Sequence, residues 1–148
     1  MASTASFCTT QWQERNPAAI NDWFSSEIGE KGTGLREVIR LSKMFCKSRD
    51  TWKNMPSGLL QTVLCDENLS TDYSRIDEVF YYTMQAIVNR ISDSTEVAAP
   101  VDDGRALVVR DIDRQRMNNW KSRLASKLKE LDVVFPVLHG LYGEYGTI

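Results

Sequence analysis

Apolar residues recur every three or four positions along most of the chain, the period of amphipathic α-helices rather than strands. In "NPAAINDWFSSEIGE" they are Ile20, Trp23, Phe24 and Ile28, with Asn16 suited to cap the helix and Pro17 to open it. Gly29, Gly32 and Gly34 are expected to end that helix in a hinge-like turn. A second helix is predicted from about Leu35 to Arg49, its apolar side carrying Leu35, Val38, Ile39, Phe45 and Cys46. "NMPSG" (54–58) breaks it, and "GLLQTVLCDENL", apolar nearly all round, reads as a short buried helix. "STDYS" (70–74) offers cap residues to a long helix in which Ile76, Val79, Phe80, Met84, Ile87, Val88 and Ile91 all keep helical spacing.

Residues 92–108 have loop chemistry, with Pro100 and the Asp103-Gly104 turn signal, leaving room for one short strand at "ALVV" (106–109). The last helix is predicted from about Asp113 to Leu131, with Met117, Trp120, Leu124, Leu128 and Leu131 on one face. The apolar, aromatic tail "VVFPVLHGLYGEYGTI" is expected to dock on the bundle. The fold class is therefore mainly α, about five helices in a compact bundle. It forms a single helical domain over residues 16–148, preceded by a polar extension, residues 1–15, in which Phe7 and Trp12 are the anchors.

Composition agrees with a packed domain: 148 residues, 42% hydrophobic and 26% charged. A net charge of −2 argues against a protein that coats long nucleic acid. Cys8, Cys46 and Cys65 form no CxxC, and His139 is the single histidine, so a four-ligand zinc site is not expected. Free thiols suit a reducing cytoplasm. No apolar run reaches membrane-spanning length and no signal-peptide core is present, which points to a cytoplasmic protein.

One charge pattern stands apart. Arg36, Arg40, Lys43 and Lys47 fall in a row on the second helix, at spacings of four, three and four, with no acid among them. The row is roughly 16 Å long at 1.5 Å per residue, enough to meet a triphosphate or a stretch of backbone phosphates. The competing reading is a solvated helix face, which is what most charge runs are. Ser57 and Gly58 open the next helix, where backbone N–H groups and a hydroxyl suit an anion but also make an ordinary cap.

Asp111 and Asp113 form a DxD that would suit divalent metal. They lack the upstream Gly-Ser phosphate turn and a third acid, so a helix start is the preferred reading. Asp102 and Asp103 look like turn formers, and His139 has no nucleophile motif beside it. Tyr81, Tyr82 and Trp120 have helical spacing and are assigned to the core.

Taken in order, "NPAAINDWF", "GLREVIRLSKMF", "MPSGLLQTVL", "APVDDGRAL" and a Trp-containing amphipathic helix resemble the C-terminal helical half of bacterial cyclic-oligonucleotide synthases. These are nucleotidyltransferases related to the animal cyclic GMP–AMP synthase and to oligoadenylate synthase. The resemblance spans Asn16 to Leu131. It implies that Arg40 and Lys43 of "RLSK" face a donor triphosphate, with Arg36 and Lys47 extending the patch. It also implies that Pro56, Ser57 and Gly58 lie beside the nucleotide phosphates, with Ser57 binding them through a hydrogen bond. Where the family has an Asn-Pro-Val-Asp segment, this sequence reads "APVDDG", with Ala99 in place of the asparagine.

The family's chemistry resides in an N-terminal half built on a sheet, with three acidic metal ligands, and residues 1–15 are too short to form it. The expectation is a nucleotide-contacting helical domain of a second-messenger synthase of bacterial antiviral defence. It would bind an ATP- or GTP-type nucleotide but hold no catalytic residue, metal site or cofactor of its own. Magnesium would enter only with a catalytic half. The expected partners are that half or a second copy of the chain. The alternatives are a stand-alone, non-catalytic module that binds a nucleotide or a protein partner, and a small helical protein whose stripe is merely wet.

Overall fold

The helix breaks are local decisions of a few residues. In the computed structural model, which describes residues 17–134, α1 runs Pro17–Lys31 and α2 Thr33–Lys47, separated by Gly32 alone. Gly32 has φ +90°, a conformation that side chains with a Cβ avoid, and its N–H closes α1 on the Ile28 carbonyl at 2.8 Å. Gly29 lies inside α1 and Gly34 inside α2, so the expected three-glycine hinge is a one-residue corner. Neither outer glycine adopts positive φ, and the helical ladder continues through both.

Pro56 and Ser57 begin the third helix, α3 (Gly58–Glu67). Ser57 is its N-cap, its hydroxyl oxygen accepting from the Leu60 N–H at 3.3 Å. Helix α4 covers Ile76–Asp93 and α5 covers Asp111–Val134. Phe7, Cys8, Trp12, Asn16, His139, the tail from residue 135 and the Leu131 side chain lie outside the described residues.

These five helices pack as a mainly α bundle. Helix α2 touches α1, α3 and α4, while α4 also touches α3 and α5. Fully buried Leu35, Val38, Leu64, Met84, Ile87, Met117 and Trp120 knit four of the helices together, at ~1.5–3 kcal/mol for each large apolar side chain removed from water. The short buried helix is as read: six of its ten residues are buried, including the polar Gln61 and Asp66. Tyr81 and Trp120 are core residues, and Tyr82 stacks on Tyr73 with ring centroids 4.4 Å apart.

The strand expected at 106–109 reduces to one antiparallel bridge, Ala98 with Ala106. Its neighbours explain why it stops. Pro100 has no N–H to give, and a 3-10 turn follows at Asp102–Gly104. On the other side, the Val109 and Arg110 amides are committed to the Asp113 carboxylate at the start of α5. Asp102, at φ +58°, makes the turn expected of it and pairs with Arg105.

Candidate functional site: a cationic cleft on three helices

Two contacts set the relative directions of α1, α2 and α3. Lys31, the last residue of α1, reaches Asp66 near the end of α3, donating to its carboxylate at 2.9 Å and its carbonyl at 2.8 Å. Glu27 lies 3.3 Å from the same ammonium. Burial opposes charge on Lys31, but Asp66 and Glu27 outweigh it and raise its pKa. At the other end, Lys43 of α2 sits over Gly58, the first residue of α3. Helices α1 and α3 therefore run in the same direction, and α2 returns between them.

The amino-terminal halves of α1 and α3 stand apart across α2 and leave a cleft of about 460 Å³. Ile20, Asn21, Trp23 and Phe24 of α1 form one wall. Arg36, Ile39, Arg40 and Lys43 of α2 form the floor, and Gly58, Leu59 and Thr62 of α3 close the far side. Positions 36, 40 and 43 share one helical face. Leu35, Val38, Ser42 and Cys46 point the other way and are buried. The row of cations is thus exposed because the opposite side of the same helix is core.

Three of the four cations in the row meet in this cleft; Lys47, one turn further on, does not line it, and neither does Ser57. Among the described residues, no carboxylate lies within ion-pair distance of Arg36, Arg40, Lys43 or Lys47. The neighbouring Arg49 is different: its guanidinium lies 3.5 Å from the Phe45 ring centroid and donates to the Phe45 carbonyl, finishing α2.

Gly58 matters for its lack of bulk. A Cβ there would stand 3.4 Å from Lys43 Cε and 3.5 Å from its Nζ. The Lys43 ammonium consequently lies against the start of α3, where the helix dipole adds positive potential. A buried polar chain fixes this junction. Ser42 Oγ donates to Gln61 Oε1 at 2.9 Å, and Gln61 Nε2 donates to the Pro56 carbonyl at 3.1 Å.

No known family's sequence profile matches the chain, and no solved structure matches it. Two curated proteins share a short stretch. The D-alanine--D-alanine ligase of Streptomyces coelicolor is 41% identical over 59 residues, covering 40% of this chain and 15% of the ligase. The D-alanine--D-alanine ligase of Streptomyces avermitilis is 39% identical over 64 residues, 43% of this chain and 17% of that protein. This is a local likeness. The chain's matched stretch spans less than a fifth of either ligase.

The remaining chemical candidates are structurally engaged. Asp113 accepts from the Arg110 and Val109 amides and pairs with the Arg110 guanidinium at 3.0 Å; Asp111 pairs with Arg114 at 3.2 Å. The DxD is a helix start. The Arg110 guanidinium and these amides hold the Asp113 carboxyl down at about 2. Cys46 and Cys65 are free and buried, and burial pushes their thiols up to about 11 and about 12. Among the described residues no group of three His, Cys, Asp or Glu side chains could hold a metal ion, and no helix is long and apolar enough to cross a membrane.

Sequence reasoning missed the α1 wall. Trp23 and Phe24 were legible as a helical apolar face, but their partial exposure at a cleft depends on how α1 leans on α2.

Proposed function

We propose that this chain is the nucleotide-contacting helical domain of a cyclic-oligonucleotide synthase of bacterial antiviral defence, working in the cytoplasm. The observation that carries this reading is the meeting of Arg36, Arg40 and Lys43 in one cleft beside the amino end of α3. The order of sequence motifs supplies the choice of nucleotide and of family. The phosphates of an ATP- or GTP-type nucleotide would lie along α2. Arg40 would offer its planar fork to two phosphate oxygens, and Lys43 a point charge at the end nearest α3. Ser57 acts by holding the first turn of α3 in place, and Lys47 by adding to the local potential. Among the described residues the acids do not fit a magnesium site, so no chemical step is assigned to them, and magnesium would come with a catalytic half.

Calorimetric titration with ATP and GTP tests the reading. Arg40→Ala and Lys43→Ala are each expected to weaken binding about tenfold or more, the loss of a charge-assisted hydrogen bond. Equal affinity in wild type and the double variant would leave the cations as wet surface. Turnover of nucleotide with magnesium, abolished by Lys43→Ala, would overturn the assignment of a non-catalytic role. The intact mass of the protein isolated from its source separates a domain of a larger synthase from a stand-alone binding module.

A further inference from the structure

We infer that the α1 wall of the cleft is a ring-binding subsite, with Trp23 as the residue that distinguishes a nucleotide from a bare polyphosphate. This rests on the phosphate-binding reading and adds the ligand's other half and its orientation. The cleft is chemically divided. Its α2 floor supplies Arg36, Arg40 and Lys43, while its α1 wall supplies Ile20, Trp23 and Phe24.

Trp23 and Phe24 are consecutive residues, yet both rings reach the cleft, with centroids 6.4 Å apart and planes tilted by 43°. Both are half-buried and packed against the core, so each ring is held on one side and open on the other. A held, half-open aromatic face beside cations that no described carboxylate pairs suits a ligand that is flat and apolar at one end and anionic at the other. Neither half explains the other: a bare phosphate gains at most one hydrogen bond from an indole N–H, and an uncharged ring gains a cation–π contact but does not neutralise three cations.

The volume fits, since about 460 Å³ lies within the range of roughly 300–1,000 Å³ typical of small-molecule sites. The orientation follows. Lys43 and the amino end of α3 mark the phosphate end, so the ring lies over α1. Asn21, exposed on the same wall, offers an amide to a ring edge. Trp23 is thereby a specificity residue that acts on the base and not on the phosphates.

The test compares ATP with inorganic tripolyphosphate, titrated into the full chain as wild type, Trp23→Leu, Trp23→Phe and Arg40→Ala. Wild type is expected to prefer ATP by at least about fivefold, the scale of one base–aromatic stack. Trp23→Leu should erase that preference while tripolyphosphate binds as before, and Trp23→Phe should keep most of it. Arg40→Ala should weaken both ligands together. Equal binding of ATP and tripolyphosphate in wild type overturns the ring subsite and leaves the phosphate row standing. A parallel loss of both ligands in Trp23→Leu overturns it as well. Binding of neither ligand overturns both readings. Should Trp23→Leu not fold, tryptophan emission of the unmodified protein decides: quenching by ATP but not by tripolyphosphate supports the stack, and identical responses sink it.

Discussion

Ser57 and Gly58 are adjacent but carry different duties, and substitution separates them. Ser57→Ala removes the cap of α3 and is expected to cost about 1 kcal/mol of stability, read as a lowered Tm, with nucleotide binding nearly unchanged. Gly58→Ala should do the reverse. Its methyl makes ordinary contact with Lys43, so the fold tolerates it and gains up to ~1 kcal/mol from a stiffer unfolded chain. Nucleotide binding should fall, because the methyl covers the ammonium where the phosphate end is placed. Asp113 gives a pH signature of its own. Its carboxyl is held at about 2 in the folded protein against ~3.9 in an unfolded chain. Its stabilising contribution is therefore complete above pH ~4 and lost as pH falls through about 2. Tm measured from pH 5 to pH 2 should drop less steeply in Asp113→Asn than in wild type; parallel curves would remove Asp113 from the account.

At the scale of elements, the junction of α2 with α3 depends on a polar chain inside an apolar core. Ser42→Ala leaves Gln61 Oε1 buried without its hydroxyl donor, and Cys46 Sγ, 3.9 Å away, is a poor replacement. The expected cost is about 1–3 kcal/mol in chemical denaturation, larger than for a serine on the surface. The same junction shows where the sequence was readable. "NMPSG" ends one helix and caps the next through local chemistry, so its reading needed only neighbouring residues. Helical periodicity likewise located α4, because Val79, Met84, Ile87 and Ile91 meet one continuous core. The glycines of 29–34 misled, since glycine permits a break without demanding one, and two of the three are absorbed into helices. The strand at 106–109 misled for a related reason. β-branched residues favour extension, but a ladder needs a partner segment, and Val97–Ala99 is too short to be one.

For the whole molecule, a net charge of −2 coexists with a cationic cleft whose cations pair with no carboxylate among the described residues. Attraction of a polyphosphate is then local. Raising salt from about 0.1 M to about 0.5 M, which shrinks the screening length from ~10 Å to ~4 Å, should weaken nucleotide binding by roughly tenfold in calorimetry. A ligand held by its ring alone would be nearly indifferent to salt. The row itself was visible in the sequence as spacing, but the cleft was not. Which cations meet is decided by the return of α2 between two co-directional helices, and that direction is fixed by Lys31 with Asp66 and by Lys43 over Gly58. Lys47 belongs to the row by arithmetic and falls outside the cleft by geometry.

The one-residue corner at Gly32 also bears on how the chain finds its shape. It forces α1 and α2 to meet as soon as both exist, and the principal helix contacts join elements that are adjacent or next but one along the chain. Such a topology closes only short loops, the condition for folding on the microsecond-to-millisecond scale. The described residues lining the cleft all lie between Ile20 and Thr62, so during synthesis they leave the ribosome before α4, which packs on α2 and α3, and before α5, which packs on α4.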